Sequence, residues 1–345
     1  MKIKRVTGSI ASVLLVLVLF SVFFTGCRLP GQSGHETITV TDQLGRRVKV
    51  LKNIRKIAAF HHFGGKLVYA LGRQHLLVAK SIFGREAAAL KKIDNMFKVR
   101  PDLSRGSTYN TEALICLNPD VVFVYATTDQ AAMEQIENAG IAVVAVRGET
   151  FEEAFEAIRL MAEVLNCRDR GEQYITHCKS LLALVEERLK KRSGKPLKAL
   201  FAGPKSIYSA ATGSMLQDQI LELSGAGNVA HNVKGFWADV SPEQIAIWNP
   251  DVIFLGSSFN SYSTESLYQN PHFKTINAVK NRRIYEFPSN AGWWDYPAPH
   301  CVLGVVWCAK TLYPKLFSDV DVKALADEFY GKYTGYTFER LGGKL

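Results

Sequence analysis

The sequence predicts an α/β protein with two lobes joined by one long helix, and three observations support this fold class. Short apolar runs typical of buried parallel strands alternate with amphipathic helical patterns in both halves of the chain. A helix–turn–strand segment of the first half recurs 131 residues later. One long amphipathic pattern lies between the halves. At 345 residues the chain has room for two domains of roughly 100–200 residues each.

Short runs rich in Val, Ile, Ala and Phe are predicted to be the buried strands. In the first half these runs are Lys56–Phe60, Val121–Val124 and Ala142–Val146, and in the second half they are Ala199–Ala202, Val252–Leu255 and Ile284–Phe287. Helical patterns separate consecutive runs, as parallel pairing within each lobe requires.

Two helical patterns follow the third strand. Thr150–Glu153 is a capping-box sequence that opens the first of them. The second, from Glu172 to Arg192, carries apolar residues on one face and stops at Gly194 and Pro196. A helix of this length spans about 30 Å, enough to run the height of a lobe. We therefore predict that it links the two lobes.

The recurring segment consists of a capped short helix, an Asn-Pro-Asp turn and a buried strand. Its copies cover residues 110–124 and 241–255, with Glu, Asn-Pro-Asp, Val and Phe matching in register. The period far exceeds the roughly 20–50 residues of solenoid repeats, so it indicates duplication of a whole lobe.

The N-terminal segment has the pattern of an export signal. Lys2–Arg5 is positively charged, and Ala11–Phe24 is an apolar run too short to span a bilayer comfortably. The following Phe24–Cys27 resembles a lipobox, in which the cysteine is lipidated and becomes the new N-terminus. We therefore expect a signal peptide over residues 1–26, lipidation of Cys27 and a tether over residues 27–36. A plain signal peptide or an uncleaved anchor is the alternative.

Composition and motifs exclude several classes of protein. With 47% apolar and 21% charged residues, the chain is neither disordered nor fibrous. The net charge of +10 is spread along the chain without a basic stripe or a nucleic-acid-binding motif, so no nucleic-acid partner is expected. The sequence contains no GxSxG, HExxH, GxGxxG or GxxxxGK[ST] motif. We therefore do not expect an enzyme.

Five cysteines follow Cys27, an odd number without a CxxC pair, which fits neither a disulfide framework nor a zinc knuckle. Most of them lie in apolar patterns, and we expect buried thiols. They are Cys116, Cys167, Cys178, Cys301 and Cys308.

The repeated units, the linking helix and the lipobox together resemble the bacterial substrate-binding lipoproteins of ABC importers for iron-siderophores, haem and cobalamin. Three further stretches are similar to that family, namely Thr41–Val48, Leu67–Gly72 and Ala278–Tyr285. The resemblance implies two Rossmann-like lobes with mainly parallel sheets, and a ligand cleft between them. The implied boundaries are 37–168 for the N-terminal lobe, 169–194 for the linking helix and 195–345 for the C-terminal lobe.

The resemblance also implies a function. The protein would be anchored by lipid on the extracytoplasmic face of the membrane, capture a metal chelate and deliver it to an ABC permease dimer with its ATPase subunits. It would hold no intrinsic cofactor, because the chelate is cargo. Glu112 and Glu243, equivalent in the two repeats, would each meet arginines on one permease subunit. Carboxylates at helix starts are also favourable locally, which is the alternative role for each.

Candidate ligand contacts come from the loops at the carboxyl ends of the strands, where open parallel sheets bind their ligands. These loops are rich in aromatic side chains, whose flat faces suit planar chelates and macrocycles. The candidates are His61, His62, Tyr109, Arg147, Tyr208, Trp237, Trp293, Trp294 and Tyr296.

Several of these residues have a second interpretation. The histidines are either metal ligands or polar loop residues. Arg147 either binds a ligand carboxylate or forms a salt bridge with Glu149. Asp295 either contacts the ligand or caps the helix that begins near Pro297. One of the two adjacent tryptophans is expected to pack inward, and Trp248 is expected in the core.

Two other functions remain open at this point. A binding lipoprotein for bare zinc or manganese would need three or four His, Asp or Glu ligands from both lobes. The adjacent His61 and His62 favour such a site, whereas His231, His272 and His300 are poorly placed to converge with them. A surface sensor or adhesin would use the same fold without a permease.

Overall fold

The computed structural model describes residues 36–80, 82, 86–105, 108–257, 264–288, 290–298 and 300–345. The predicted signal peptide, Cys27 and most of the tether therefore lie outside the described residues. Residues Thr37–Leu345 form one compact unit. Among the described residues, no helix is both long and apolar enough to cross a bilayer.

The first lobe is built on a parallel three-stranded sheet in the order β3–β6–β7. An antiparallel hairpin, β1–β2, and a short pair, β4–β5, flank it. The strands are β1 (Thr37–Thr41), β2 (Arg47–Leu51), β3 (Ile57–Ala59), β4 (Ser104–Arg105), β5 (Thr108–Tyr109), β6 (Val121–Tyr125) and β7 (Ala142–Val146). The helices are α1 (His62–Ala70), α2 (Glu86–Ile93), α3 (Thr111–Leu117), α4 (Gln130–Asn138) and α5 (Phe151–Val164).

The second lobe carries a six-stranded mixed sheet. Its strand order is β11–β9–β8–β12–β13, with β10 also paired to β8. The strands are β8 (Leu197–Ala202), β9 (Ser209–Ala211), β10 (Ala226–Asn228), β11 (Trp237–Asp239), β12 (Val252–Leu255) and β13 (Ile284–Glu286). The helices are α7 (Leu216–Leu223), α8 (Pro242–Trp248), α9 (Thr264–Gln269), α10 (Asn277–Lys280), α11 (Cys301–Leu312) and α12 (Val322–Thr334). Strands β8, β10, β12 and β13 are parallel, and β9 is antiparallel to both of its neighbours, β8 and β11.

The predicted linking helix is confirmed as α6, which runs over Arg168–Leu189 and so begins and ends a few residues before the predicted bounds. Its 22 residues span about 33 Å. One face is buried through residues such as Tyr174, Cys178, Leu181 and Val185. This apolar face packs against α5 of the first lobe and α11 of the second. The helix therefore fastens to both lobes along its length.

The internal repeat is confirmed residue by residue. Helices α3 and α8 have seven residues each, open with a side-chain cap and end at an asparagine in the left-handed region. Each buries one residue at the same position, Leu114 in α3 and Ile245 in α8. The Asn-Pro-Asp turns are equivalent too, since Asp120 accepts from the amide of Lys56 at 2.9 Å and Asp251 from that of Lys198 at 3.0 Å.

A buried ion pair, extended by one backbone hydrogen bond, joins the lobes below the sheet ends. Lys66 Nζ of α1 lies 2.9 Å from Glu86 Oε1 of α2, and their side chains are 5% and 6% exposed. The same oxygen accepts from the amide of Trp293 at 2.8 Å. Burial by itself raises the pKa of Glu86, but Lys66, His300 and the Trp293 amide outweigh it and lower that pKa overall. We call Lys66, Glu86 and Trp293 the interlobe contact.

The C-terminal segment reinforces this junction. Arg170 of α6 donates to the carbonyls of Ala70 in α1 and Tyr333 in α12, at 3.0 and 2.9 Å. Lys92 of α2 donates to the carbonyl of Arg340 at 2.7 Å. Helix α12 therefore packs on the linking helix and the first lobe, although it follows the second lobe in sequence.

The cysteines are only partly as expected. Cys178, Cys301 and Cys308 are buried thiols, and burial raises the pKa of Cys301 and Cys308 to about 12. Cys116 is exposed and Cys167 is half-buried, so burial was wrong for these two. Cys116 lies on the outer face of α3, whose only buried residue is Leu114.

Removing one charge of the buried pair leaves the other uncompensated. Lys66→Met is expected to lower the free energy of unfolding by about 3–5 kcal/mol. Adding Glu86→Gln keeps an acceptor for the Trp293 amide without the charge, and should restore most of that loss. Urea denaturation of the two variants and the native protein measures this. A double variant no more stable than Lys66→Met would contradict the role of the pair.

Buried neutral histidines make stability depend on pH. Burial, with the nearby Lys66 charge, lowers the pKa of His300 from 6.5 to about 4. Between those values the unfolded chain binds the proton and the native protein does not, so the free energy of unfolding falls as the pH drops. The His300→Gln variant should lose less of this free energy than the native protein between pH 7 and pH 5. Equal losses in urea denaturation at the two pH values would argue against it.

Candidate ligand-binding cleft

Two adjoining cavities open at the carboxyl ends of the first lobe's strands. The larger, of about 710 Å³, lies between the lobes, and the smaller, of about 530 Å³, lies in the first lobe. Tyr125 and Thr127 line both, so they form one cleft. Another cavity, mostly apolar and lined in part by Lys66 and Glu86, holds only about 80 Å³, too small for a chelate. The cleft is therefore the candidate site.

His61 sits where β3 turns into α1, at the edge of the smaller cavity. Its Nδ1 caps the helix by accepting from the amide of Phe63 at 3.2 Å. Burial, helped by His62 and Lys66, lowers the pKa of His61 to about 3, so the ring is neutral. Because Nδ1 accepts, the proton resides on Nε2, which can donate to a ligand. This argues against His61 as a metal ligand through Nε2.

Tyr125 and Glu149 form the centre of the first lobe's wall. The Tyr125 ring stacks on His61 with centroids 4.2 Å apart, and its hydroxyl donates to Glu149 Oε1. Burial raises the pKa of the Glu149 carboxyl. Arg147 pairs with Glu153 at 2.7 Å, so the predicted salt bridge to Glu149 was wrong in its partner. Glu153 lies in the first turn of α5 and pairs there with Arg147, whereas Glu149 accepts the hydrogen bond of Tyr125.

The second lobe's wall is polar with one exposed ring. His231 Nδ1 lies 3.0 Å from Asp218 Oδ2, and Phe236, 51% exposed, lines the same cavity. Gln219 bridges to the first lobe, accepting from the amide of Phe151 at 2.7 Å and donating to Glu152 at 3.1 Å. His231 therefore lines the cavity between the lobes, and not the smaller cavity that His61 lines.

Trp293 and Tyr296 lie in the last loop of the second lobe, and neither is in the lining of the two cavities. The Trp293 ring lies 6.2 Å from His62 and 5.2 Å from Tyr296, edge to face with the latter. Burial, then the charges of Asp295 and Glu149, raises the pKa of Tyr296. His62 and Trp293 thus meet at the interlobe contact.

Tyr109 also lies in the cleft, stacked on Phe60 with centroids 4.6 Å apart. Burial, and then Asp102, raises the pKa of Tyr109 to about 12, so its phenol stays protonated at neutral pH.

Other sequence-based candidates lie elsewhere. Trp294 is completely buried, packs on Phe338 and donates to Tyr330, so it is the inward tryptophan and not a ligand contact. Tyr208 packs on Phe273 in a core cluster of the second lobe. Trp237 packs near Phe201, with ring centroids 6.4 Å apart, and is not in the lining of either cavity.

Asp295 has neither of its expected roles. Its carboxylate is buried and accepts from the amide and the hydroxyl of Ser257, so it neither caps a helix nor faces the cleft.

The expected docking residues Glu112 and Glu243 are exposed in the first turns of α3 and α8. Trp248 is half-buried against the second core cluster rather than fully in the core. Within the described part of the chain, no three His, Cys, Asp or Glu residues are arranged to hold a metal ion.

The sequence contained a signal for one missed residue. Tyr125 is the last residue of β6. Open parallel sheets bind their ligands at the carboxyl ends of the strands, which predicts Arg147 after β7 and applies equally to Tyr125. The segment with Phe236 and Trp237 does reach the cleft, but the residue that lines it is Phe236, which precedes β11, and not Trp237. Asp218 and His231 come from segments with no strand pattern to indicate them.

Curated relatives resemble the chain over most of its length. The molybdate-binding protein MolA of Haemophilus influenzae is 29% identical over 327 residues, 85% of this chain and 90% of that protein. The uncharacterized ABC transporter substrate-binding lipoprotein YvrC of Bacillus subtilis is 24% identical and covers 90% of this chain and 99% of its own.

Solved structures share the fold. Molybdate-bound MolA superposes with a TM-score of 0.74 at 24% identity, over 87% of this chain and 98% of that one. Helicobacter pylori CeuE with Ni(II) bound gives 0.74 at 23% identity, over 88% and 98%. The sequence profile of the periplasmic binding proteins matches residues 57–291. Such proteins carry a transported ligand, without an intrinsic cofactor or enzymatic activity, for an ABC permease and its ATPase. The chain belongs to the periplasmic binding protein family and is an extracytoplasmic solute-binding protein of an ABC importer.

Proposed function

We propose that this protein captures a metal chelate in the cleft and delivers it to an ABC permease dimer. The observation that carries the proposal is the cleft's size and lining, about 710 Å³ between the lobes with rings and hydroxyls from both. Tyr125 and Phe236 supply flat faces, and Thr127 and Ser214 supply hydroxyls. Such a lining suits a ligand with a large organic surface.

The charges of the cleft bear on the ligand. Its described lining between the lobes contains more carboxylates than basic groups, and the two basic groups, Arg147 and His231, are already paired with Glu153 and Asp218. Glu149, one of these carboxyl groups, is half-buried, which raises its pKa. This balance favours a neutral or cationic complex over a small dianion. Among the relatives, one from Bacillus subtilis is named for ferric citrate, and one from Pectobacterium atrosepticum is named for vitamin B12.

Molybdate is the second candidate, supported by the 29% identity to MolA over most of both chains. The amino end of α1 with His61 Nε2–H gives the donors that an oxyanion needs. Its compact size, however, leaves most of the cleft unfilled.

Calorimetric titration separates these candidates. The purified protein is titrated with ferric citrate, cyanocobalamin, haemin, nickel–histidine and sodium molybdate, with zinc and manganese chlorides as bare-ion probes. We expect binding of one chelate and weaker or no binding of molybdate and the bare ions. Binding of molybdate or a bare ion alone would overturn the chelate assignment. Binding without permease-dependent uptake would instead favour a sensor or adhesin.

Lipid anchoring at Cys27 is part of the proposal. It is supported by the lipobox-like Phe24–Cys27 and by the relative YvrC, which is named a lipoprotein. Cys27→Ala is expected to move the protein from the membrane fraction to the soluble fraction, because cleavage and lipidation both need the cysteine. Immunoblots of the two fractions measure this. Retention of the variant in the membrane fraction would contradict lipidation.

Docking through Glu112 and Glu243 is also proposed. Both carboxylates are exposed at equivalent repeat positions, where a two-fold partner can meet each with a basic group. The backbone amide of Glu243 itself, then the Ser241 side chain, with a smaller contribution from His272, lower the pKa of Glu243, so that carboxylate is charged at neutral pH.

Ligand affinity should depend on Trp293. An indole covering a chelate contributes on the order of 1–3 kcal/mol, so Trp293→Ala should weaken binding roughly 5- to 150-fold. Trp248→Ala is the matched control, since this half-buried tryptophan of α8 packs against the core cluster of the second lobe, whereas Trp293 lies at the interlobe contact. Calorimetry with the chelate selected above measures both. Unchanged affinity in a folded Trp293→Ala variant would place the ligand elsewhere.

A further inference from the structure

The two repeat helices share an exposed apolar position as well as an exposed glutamate. Ile247 of α8 is 77% exposed, a fraction that large apolar side chains in the described residues seldom reach. Its equivalent in α3, 131 residues earlier, is Cys116, which is also exposed. The same offset relates Glu112 to Glu243 and the buried Leu114 to Ile245.

Helical geometry joins each glutamate to its apolar neighbour. Glu112 and Cys116 are four residues apart, as are Glu243 and Ile247, so each pair lies on one face of its helix. The side of each helix that carries the buried residue packs onto its own lobe. Each lobe therefore presents a carboxylate followed, one turn later, by a small apolar group.

We propose that Cys116 and Ile247 complete two equivalent docking patches, each made of one glutamate and one apolar residue, for the two-fold symmetric permease dimer. This proposal rests on the docking function proposed for the glutamates and extends it to two residues outside the charge contact. Each permease subunit would present a basic group beside an apolar recess.

Two features of the described structure support that occupant. The patches are related by the duplication of the lobes, so a partner that presents the same surface twice can cover both at once. Protein interfaces commonly have an apolar centre and a polar rim, and an exposed isoleucine next to a charge fits this pattern. The charge would speed association, and burial of the isoleucine would slow dissociation.

Cross-linking tests the geometry. A maleimide–benzophenone probe is attached to native Cys116, or to Ile247→Cys, Glu112→Cys or Glu243→Cys in a Cys116→Ser background, with Cys167→Ser throughout. Val99→Cys is the matched control, because Val99 is 69% exposed next to Arg100, whose guanidinium binds carbonyls beyond the carboxyl end of α1, away from the cleft. After irradiation of intact cells, peptide mass spectrometry identifies the products.

We expect the probes at 116 and 247 to cross-link to the same permease polypeptide as the probes at 112 and 243, and the probe at 99 to give no such product. Products from 112 and 243 without products from 116 and 247 would overturn this inference while leaving glutamate docking intact. No permease product from any position would instead overturn the docking function itself.

A binding measurement tests the energetics. Burying an isoleucine contributes about 1.5–3 kcal/mol, so Ile247→Lys should weaken association with the identified permease complex in nanodiscs roughly 10- to 150-fold. Val99→Lys should leave association unchanged, and neither variant should alter chelate affinity. Native association by Ile247→Lys would overturn the inference. Lost chelate affinity would show that Ile247 acts on the cleft and would overturn it too.

Discussion

The geometry of the cleft depends on the buried interlobe contact. Glu86 accepts from both Lys66 within its lobe and the Trp293 amide from the other, so one carboxylate fixes the distance between the walls. A buried charge without a partner is energetically unfavourable. Opening of the lobes would take the Trp293 amide away from Glu86 and leave this carboxylate less well paired. Helix α6 packs against both lobes, and α12 is bonded to α6 through Arg170 and the Tyr333 carbonyl, which reinforces the same junction. A fixed cleft needs little reorganisation when a ligand binds, which preserves affinity.

The chemistry of the cleft walls follows from the hydrogen bonds and ion pairs that their side chains make within each lobe. His61 caps α1, and that hydrogen bond leaves its other nitrogen as a donor. Tyr125 lies at the end of a buried strand, and its hydroxyl donates a hydrogen bond to Glu149. Burial raises the pKa of the Glu149 carboxyl. Arg147 and His231 are each neutralised by a nearby carboxylate. The cleft thus offers rings, hydroxyls and carboxyl groups rather than free positive charge.

Local patterns predicted the frame well. The buried strands are continuous apolar runs, and the lobe repeat emerged from Asn-Pro-Asp turns whose aspartates bind strand amides. Strands β9 and β10 were missed because Ser-Ala-Ala and Ala-Gly-Asn carry no hydrophobic pattern. In the site, segments were found more readily than side chains. Trp294 is completely buried in the core, whereas Trp293 lies at the interlobe contact beside His62, and only tertiary packing, not composition, distinguishes the neighbours.

The central claim is that the buried contact holds the two lobes at one fixed separation. Electron–electron double resonance tests it directly, with nitroxides on Cys116 of the first lobe and Ile247→Cys of the second, in a Cys27→Ser and Cys167→Ser background. The ligand-free protein is predicted to give one narrow distance distribution, which Glu86→Ala broadens because it removes the acceptor of the Trp293 amide. A broad or two-peaked distribution in the otherwise native protein, or a distribution that Glu86→Ala leaves unchanged, would contradict the claim.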